Sequence, residues 1–188
     1  MMIEALEDME EGVLVGGQLI SDVRFADDQG MVASTEMGLQ RLMNKLNDTA
    51  KNCMKINVQK TKTMVVRWDG GGVVNITVDG LRIEQVKSFK YLGSVITEDG
   101  RSHSDVKVTI AMAKDTFNKR KEFLTKGLSR RLKKRMVKVL VCPVVLYGCE
   151  TWTLLQDEIN RLKALEAWLW RGLEKISWMD KVHNDEVL

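Results

Sequence analysis

Two adjacent carboxylates, Asp27 and Asp28, are the clearest candidates for chemistry in this sequence. They follow Arg24-Phe25-Ala26 and lie between two apolar segments, so we expect them where one short strand ends and another begins. Neighbouring carboxylates repel each other, and a bound cation usually offsets that repulsion. Mg²⁺ and Mn²⁺ prefer oxygen ligands, and Mg²⁺ leaves positions for phosphate oxygens. The pair therefore predicts a divalent-metal site, and the alternative is a surface turn that carries two acids.

Charge is distributed unevenly along the chain. Residues 1–36 contain nine acids and one arginine, whereas residues 101–141 contain thirteen bases and three acids. A basic block of this kind is typical of a surface that binds a polyanion, although a solvated helix face is the alternative. The bases that we expect to contact a nucleic-acid backbone are Lys119, Arg120, Lys121, Arg130, Arg131, Lys133, Lys134 and Arg135.

The elements that would position the aspartates are short strands and one helix. Val13–Val15 and Gln18–Ile20 flank two glycines, which predicts a hairpin. A further strand leads through Phe25 into the aspartates, and Ser34 or Thr35 is expected to cap a helix whose apolar residues recur at helical spacing.

After this helix the pattern changes to alternation. Residues 54–58 alternate between apolar and polar, which predicts a strand, and 64–66 are expected to be its return strand. Residues 69–72 are a predicted loop, and Asp79-Gly80 predicts a tight hairpin turn. Residues 89–97 are expected to form one more strand.

Beyond residue 100 the pattern is helical. We expect one helix from Ser104 to Gly127, a second from Ser129 that Pro143 kinks or ends, and a third through Ile159 and Ile176. The order of elements predicts an α+β fold, with a strand-rich region at 1–100 and an all-helical basic region at 101–188.

Five segments together carry a resemblance to a known family. They are Phe25-Ala26-Asp27-Asp28, Lys55–Lys62, Phe89–Thr97, Tyr147–Trp152 and Ile176–Trp178. In their order and at their spacing they resemble segments of the reverse transcriptases of non-LTR (long interspersed element-like) retrotransposons, and the first of them resembles the catalytic hairpin of that family. The resemblance covers nearly the whole chain.

This resemblance implies part of a polymerase palm, built of antiparallel hairpins and one packed helix, followed by a thumb-like helical region. Asp27 and Asp28 would be metal ligands, and Lys60 would lie near the phosphates of the incoming nucleotide. The primer end would be held by Phe89, Tyr91, Leu92 and Gly93. The implied partners are an RNA template and a DNA primer, and the implied cofactor is Mg²⁺ or Mn²⁺.

The chain departs from the family in the residues before the hairpin. A third aspartate on an earlier strand completes the family's metal site, and neither Asp8 nor Asp22 matches that motif. Two carboxylates alone hold Mg²⁺ weakly, so we expect a truncated reverse-transcriptase fragment that does not polymerise DNA by itself. The alternatives are a non-catalytic nucleic-acid-binding module and an inert transposon remnant.

The remaining features place the chain inside the cell, in the nucleus or the cytoplasm, without a membrane partner. The longest apolar run, Val139–Tyr147, is too short to cross a bilayer, and the first residues are acidic rather than basic. The three cysteines form no spaced cluster and are expected to be reduced and buried. His103 and His183 are expected to be ordinary surface residues. Most of the tryptophans are expected to pack the helical core, with stacking on bases as the alternative.

Overall fold

The computed structural model describes residues 11–51, 55–67, 72–125 and 127–187. Within these ranges the chain has the predicted α+β fold. The chain divides into two compact units, Met1–Phe89 and Lys90–Leu188. The first unit contains short strands and one helix, and the second contains a hairpin followed by helices.

Strands pair two by two in the first unit. They are β1 (Val13–Val15), β2 (Gln18–Ile20), β3 (Asp22–Phe25), β4 (Asp28–Met31), β5 (Lys62–Thr63), β6 (Thr77–Val78), β7 (Leu81–Arg82) and β8 (Glu84–Gln85). The pairs β1–β2, β3–β4 and β6–β7 are antiparallel hairpins, as predicted. The pair β5–β8 is parallel. The long connection through residues 64–83 permits the crossover that parallel pairing requires.

Two of the hairpin turns form where the sequence predicts them. Gly16 and Gly17 have φ values of 59° and 85°, and Asp79 and Gly80 have 49° and 79°. Positive φ at both central residues is the geometry of the type I′ turn, which matches the twist of antiparallel strands. Glycine and aspartate tolerate this geometry, which explains the success of the prediction.

Helix α1 (Glu36–Ala50) packs on the β6–β7 hairpin. Its N-cap is Thr35, whose hydroxyl accepts a hydrogen bond from the Gly38 amide at 3.0 Å. The amide of the Gln40 side chain donates to the Thr77 carbonyl and accepts from the Thr77 N–H, both at 2.8 Å. The helix thereby satisfies backbone groups at the edge of β6. The buried core of this contact consists of Met43, Ile76, Val78 and Ile83.

Two predicted strands of this unit are absent from the described residues. Residues 55–57 are irregular, 58–60 form a turn, and 64–67 are irregular, while 52–54 and 68–71 lie outside the described residues. The cause is local at Asn57, whose side-chain oxygen accepts hydrogen bonds from the amides of Gln59 and Lys60, both at 3.1 Å. This Asx turn competes with extended backbone, so the alternating pattern does not become a ladder.

The second unit begins with a hairpin and continues with helices. Its strands are β9 (Ser88–Tyr91), in which the boundary between the units falls, and β10 (Ser94–Thr97). Its α-helices are α2 (His103–Lys119), α3 (Lys121–Thr125), α4 (Arg130–Leu140), α5 (Cys142–Leu146), α6 (Gln156–Glu174) and α7 (Asn184–Val187). Short 3-10 turns occur at Cys149–Thr151 and Trp178–Asp180. No helix in the described ranges is long and apolar enough to span a membrane.

The helices of the second unit share one hydrophobic core. Its buried members are Ala113, Phe117, Leu124, Val137, Val141, Leu165, Leu169 and Leu173. Trp168 and Trp170 are half-buried and pack against this cluster, as predicted for most tryptophans. Cys142 and Cys149 are half-buried free thiols rather than fully buried ones, and Cys53 lies outside the described residues.

Helix boundaries in this unit differ from the prediction in several places. The third predicted helix, α6, ends at Glu174, so Ile176 lies beyond its end. The N-cap position of the first helix is Ser102 instead of Ser104, and the Ser102 side chain makes no capping hydrogen bond. A break at Arg120 divides the predicted helix into α2 and α3. The second predicted helix begins after Ser129, as expected, and ends at Leu140. Pro143 lies in the first turn of α5, where its missing N–H costs no helical hydrogen bond.

Candidate metal site and nucleic-acid interface

The Asp27-Asp28 pair lies at the tip of the β3–β4 hairpin. Phe25 is paired with Asp28, so Ala26 and Asp27 form a two-residue turn. Ala26 has a φ of 52°, a left-handed conformation in which the Cβ of an L-residue is strained. Both carboxylates are exposed, and the adjacent Phe25 side chain is 63% exposed. The predicted turn is confirmed, while the role of the pair in metal binding stays a prediction.

The two side chains at this tip are carboxylates, which are the type of ligand that Mg²⁺ and Mn²⁺ prefer. Among the described residues, no group of three or more His, Cys, Asp or Glu side chains is placed to hold a metal ion. The acid nearest in sequence, Asp22, forms an ion pair with Arg24 instead. A divalent ion at this tip would have these two carboxylates as its protein ligands, and water or phosphate oxygens would complete its octahedral shell.

Lys60 lies in the turn that Asn57 organises. Its backbone amide donates to the Asn57 side chain, and its own side chain is exposed. An exposed lysine in a tight turn can bind a phosphate, and it is equally suited to a solvated surface. Its predicted contact with nucleotide phosphates stays a prediction.

The segment predicted to hold a primer is a hairpin rather than a single strand. Leu92 and Gly93 form its turn with φ values of 48° and 92°. The Tyr147 hydroxyl donates to the Leu92 carbonyl at 2.7 Å, and a Cβ on Gly93 would lie 2.7 Å from the Tyr147 ring. The single-strand prediction was wrong because Tyr147 stabilises a turn that leucine seldom adopts. Phe89 is 37% exposed and Tyr91 half-buried, and the predicted contact of these residues with a primer stays a prediction.

Helix α4 gathers five of the eight predicted backbone contacts. It contains six basic and no acidic residues, and all but Lys133 have exposed side chains. Lys133 differs from its neighbours because its ammonium donates to the Leu173 carbonyl at 2.9 Å and lies 3.5 Å from the Glu174 carboxylate. Its side chain is 11% exposed. Lys133 therefore ties α4 to the end of α6, and the other bases of α4 present charge to solvent.

The three remaining predicted contacts lie at the junction of α2 and α3. Lys119 pairs with Asp115 one turn earlier at 2.7 Å, which neutralises part of its charge. Arg120 occupies the break between the helices, and Lys121 begins α3. All three side chains are exposed, and α3 contacts α4 directly. The predicted bases thus belong to neighbouring helices of one unit.

A polar cluster at the start of α2 was not predicted from the sequence. Asp105 is buried, and its two carboxylate oxygens accept from the Val95 amide at 2.8 Å and from the Trp152 indole at 2.7 Å. His103 lies 2.8 Å from the buried Glu158 carboxylate, so the expectation of an ordinary surface histidine was wrong. The hydrogen bond to His103 lowers the pKa of Glu158, and burial opposes that shift. His183 is exposed, as expected.

Comparison with known proteins gives one informative similarity. The chain is 24% identical over 177 residues to a Caenorhabditis elegans protein described as uncharacterized and transposon-derived. The match covers 91% of this chain and 62% of that protein, so the chain spans less than two thirds of its relative. No protein-family description matches the chain, and no solved structure matches it.

Proposed function

We propose that this chain is a transposon-derived fragment of reverse-transcriptase ancestry whose present activity is sequence-independent binding of nucleic acid. The observation that carries the binding activity is helix α4, where Arg130, Arg131, Lys134, Arg135 and Lys138 are exposed on a helix without acids. Clustered Lys and Arg neutralise phosphates and release condensed counterions, which gives affinity without a choice of sequence.

The ancestry has separate support. The similarity to a transposon-derived protein extends over 91% of the chain. The two adjacent acids lie at the tip of a hairpin, Asp27 in its two-residue turn and Asp28 at the start of β4, and the resemblance to non-LTR reverse transcriptases implies such a position. Asp27 and Asp28 are the residues that would hold a divalent ion, whose chemistry is activation of a hydroxyl and stabilisation of phosphate charge.

Salt dependence of binding tests the proposed activity. A fluorescein-labelled 16-base-pair duplex is titrated with the full chain between 50 and 300 mM NaCl, and anisotropy gives Kd. Binding through the exposed bases of α4 predicts that log Kd rises linearly with log salt, with a slope of about 0.9 for each phosphate contacted. A flat salt dependence contradicts the proposal.

Charge reversal locates the surface. Lys134→Glu with Arg135→Glu should weaken duplex binding about tenfold or more at 100 mM salt and reduce the slope by about 2. Arg161→Glu with Lys163→Glu makes the same change in net charge at two exposed positions of α6. If both double variants bind with the same Kd, net charge rather than α4 governs binding.

The carboxylate pair should be dispensable for this binding. Asp27→Ala removes a negative charge from an exposed hairpin tip of the other unit, so duplex Kd is expected to change less than twofold. Templated primer extension by the full chain with Mg²⁺ or Mn²⁺ measures catalysis directly. Extension that Asp27→Ala abolishes would replace the binding-module proposal with an active polymerase.

A further inference from the structure

A half-open groove lies at the carboxyl end of α6 in the helical unit. Two adjoining cavities of about 270 and 350 Å³ form it, and Lys121, Arg171, Gly172 and Ile176 line both. The groove therefore lies within one unit, between α6 and the α2–α3 junction.

One end of the groove is apolar and aromatic. Phe117 and Trp168 line it, with their ring centroids 5.2 Å apart in an edge arrangement. Gly172 keeps the wall close-packed, because a Cβ there would lie 2.9 Å from the Phe117 ring. Phe117 is 1% exposed and lies behind this wall, so the surface that a planar apolar group can pack against consists of Trp168 and Ile176.

The other end is cationic. Lys121, Arg171 and Lys175 line it, and no carboxylate does so among the described residues. The Arg171 guanidinium is anchored by the Asn184 side chain, at 3.2 Å from one nitrogen, and by the Val182 carbonyl. These hydrogen bonds fix the position of the positively charged guanidinium at this end of the groove.

Two acids near the groove are engaged elsewhere. Glu174 lies 3.5 Å from the Lys133 ammonium, and the Asp180 carboxylate accepts from the Ser177 amide at 2.6 Å. The negative end of the α6 dipole is partly offset as well. The Arg171 carbonyl accepts a hydrogen bond from the Ile176 amide at 3.0 Å, and the Leu173 carbonyl accepts one from the Lys133 ammonium.

We propose that this groove binds one unpaired nucleotide of a single-stranded DNA or RNA, with its base against Trp168 and Ile176 and its phosphate between Lys121 and Lys175. A base in a duplex is stacked on both faces and paired along one edge, so we expect only a single strand to place a base in the groove. The inference rests on the proposed nucleic-acid binding and extends it. Helix α4 would bind the phosphate backbone of a duplex or a single strand, whereas the groove would select a single strand.

Two lysines provide a matched test of the cationic end. Lys175 and Lys181 both have left-handed backbones, with φ values of 58° and 52°, and both are exposed. Asparagine tolerates that conformation, so Lys175→Asn and Lys181→Asn remove the same charge from the same geometry. Lys181 does not line either cavity. Against a fluorescein-labelled oligothymidine 12-mer at 100 mM NaCl, Lys175→Asn should raise Kd about fivefold, and Lys181→Asn less than twofold.

Photocrosslinking tests the aromatic end in the unaltered chain. A 12-mer carrying 5-bromouracil should crosslink to the peptide containing Trp168. Trp168→Phe should lower the crosslink yield at least threefold, whereas Trp170→Phe should leave it unchanged. Because the wild-type crosslink is mapped directly, the test does not depend on the folding of either variant.

The possible results separate the two proposals. Equal effects of the two lysine variants, or a crosslink that maps away from the groove, overturn the groove while duplex binding by α4 stands. A chain that binds neither the 12-mer nor the duplex overturns both. Saturable binding of phosphatidylserine vesicles that the 12-mer fails to displace would also overturn the groove as a nucleotide site.

Discussion

Replacing Asp105 by asparagine tests the polar cluster that joins the β9–β10 hairpin to the helices. The carboxylate accepts two short hydrogen bonds, from the Val95 amide and the Trp152 indole, and the residue is 4% exposed. An asparagine at this position has one acceptor oxygen, so it can keep one of these bonds and must turn its NH₂ group toward the other donor. The variant therefore leaves one buried N–H unsatisfied.

The expected cost follows from that unsatisfied donor. A hydrogen bond to a charged group contributes about 1.5–3 kcal/mol, and we expect Asp105→Asn to lower the unfolding free energy by about that amount. For a unit of this size the midpoint of thermal unfolding should fall by roughly 10 °C. Urea unfolding followed by tryptophan fluorescence measures the free energy, and differential scanning calorimetry measures the midpoint.

Asp115→Asn is the matched control. Asp115 lies on the same helix, is exposed, and forms an ion pair with Lys119 one turn away. The same substitution there should change the unfolding free energy by less than about 0.5 kcal/mol. If the two variants are equally stable, Asp105 does not hold the hairpin against the helices in the way argued.

Three further predictions concern single positions. Ala26→Gly should raise the unfolding free energy by about 0.5–1 kcal/mol in urea titrations, because glycine adopts the left-handed turn without strain; an unchanged midpoint would contradict this. The hydrogen bond from His103 lowers the pKa of Glu158 in the folded state. The contribution of ionised Glu158 to stability is therefore complete above its ordinary pKa of 4.5, and it is lost as the pH falls through the lowered pKa. Glu158→Gln should therefore lose less stability than the wild type between pH 5 and pH 3 in urea titrations, and parallel pH profiles would refute the assignment. Gly93→Ala should destabilise the hairpin by at least about 1 kcal/mol, since its Cβ would lie 2.7 Å from the Tyr147 ring; retention of wild-type thermal stability would show that the ring moves freely.

Local chemistry explains which parts of the fold the sequence predicts. The Asp79-Gly80 turn and the helix caps at Thr35 and Ser129 depend on residues within four positions of one another. Their energetics are almost independent of the rest of the chain, so short sequence patterns identify them. The Ala26-Asp27 turn belongs to the same class, although its alanine is less suited to the geometry than glycine.

Contacts between residues distant in sequence explain the failures. The turn at Leu92 is stabilised by Tyr147, and the His103–Glu158 contact likewise joins residues 55 positions apart. No local pattern carries information about such partners. The sequence pattern of residues 89–97 alone therefore predicts one strand. The contact with Tyr147, which stabilises the turn, cannot be inferred from that pattern.

The same distinction applies to the basic block and bears on its function. Counting charges treats Lys133 and Lys134 as equivalent, yet the fold assigns the first to the end of α6 and leaves the second exposed. Lys119 is likewise partly neutralised by Asp115. The charge available to a polyanion is thus smaller than the sequence total and is concentrated on the outer face of α4. A phosphate backbone would therefore meet a row of cations on one helix rather than a diffuse positive field, so the proposed binding predicts a salt dependence that is set by the exposed bases of α4.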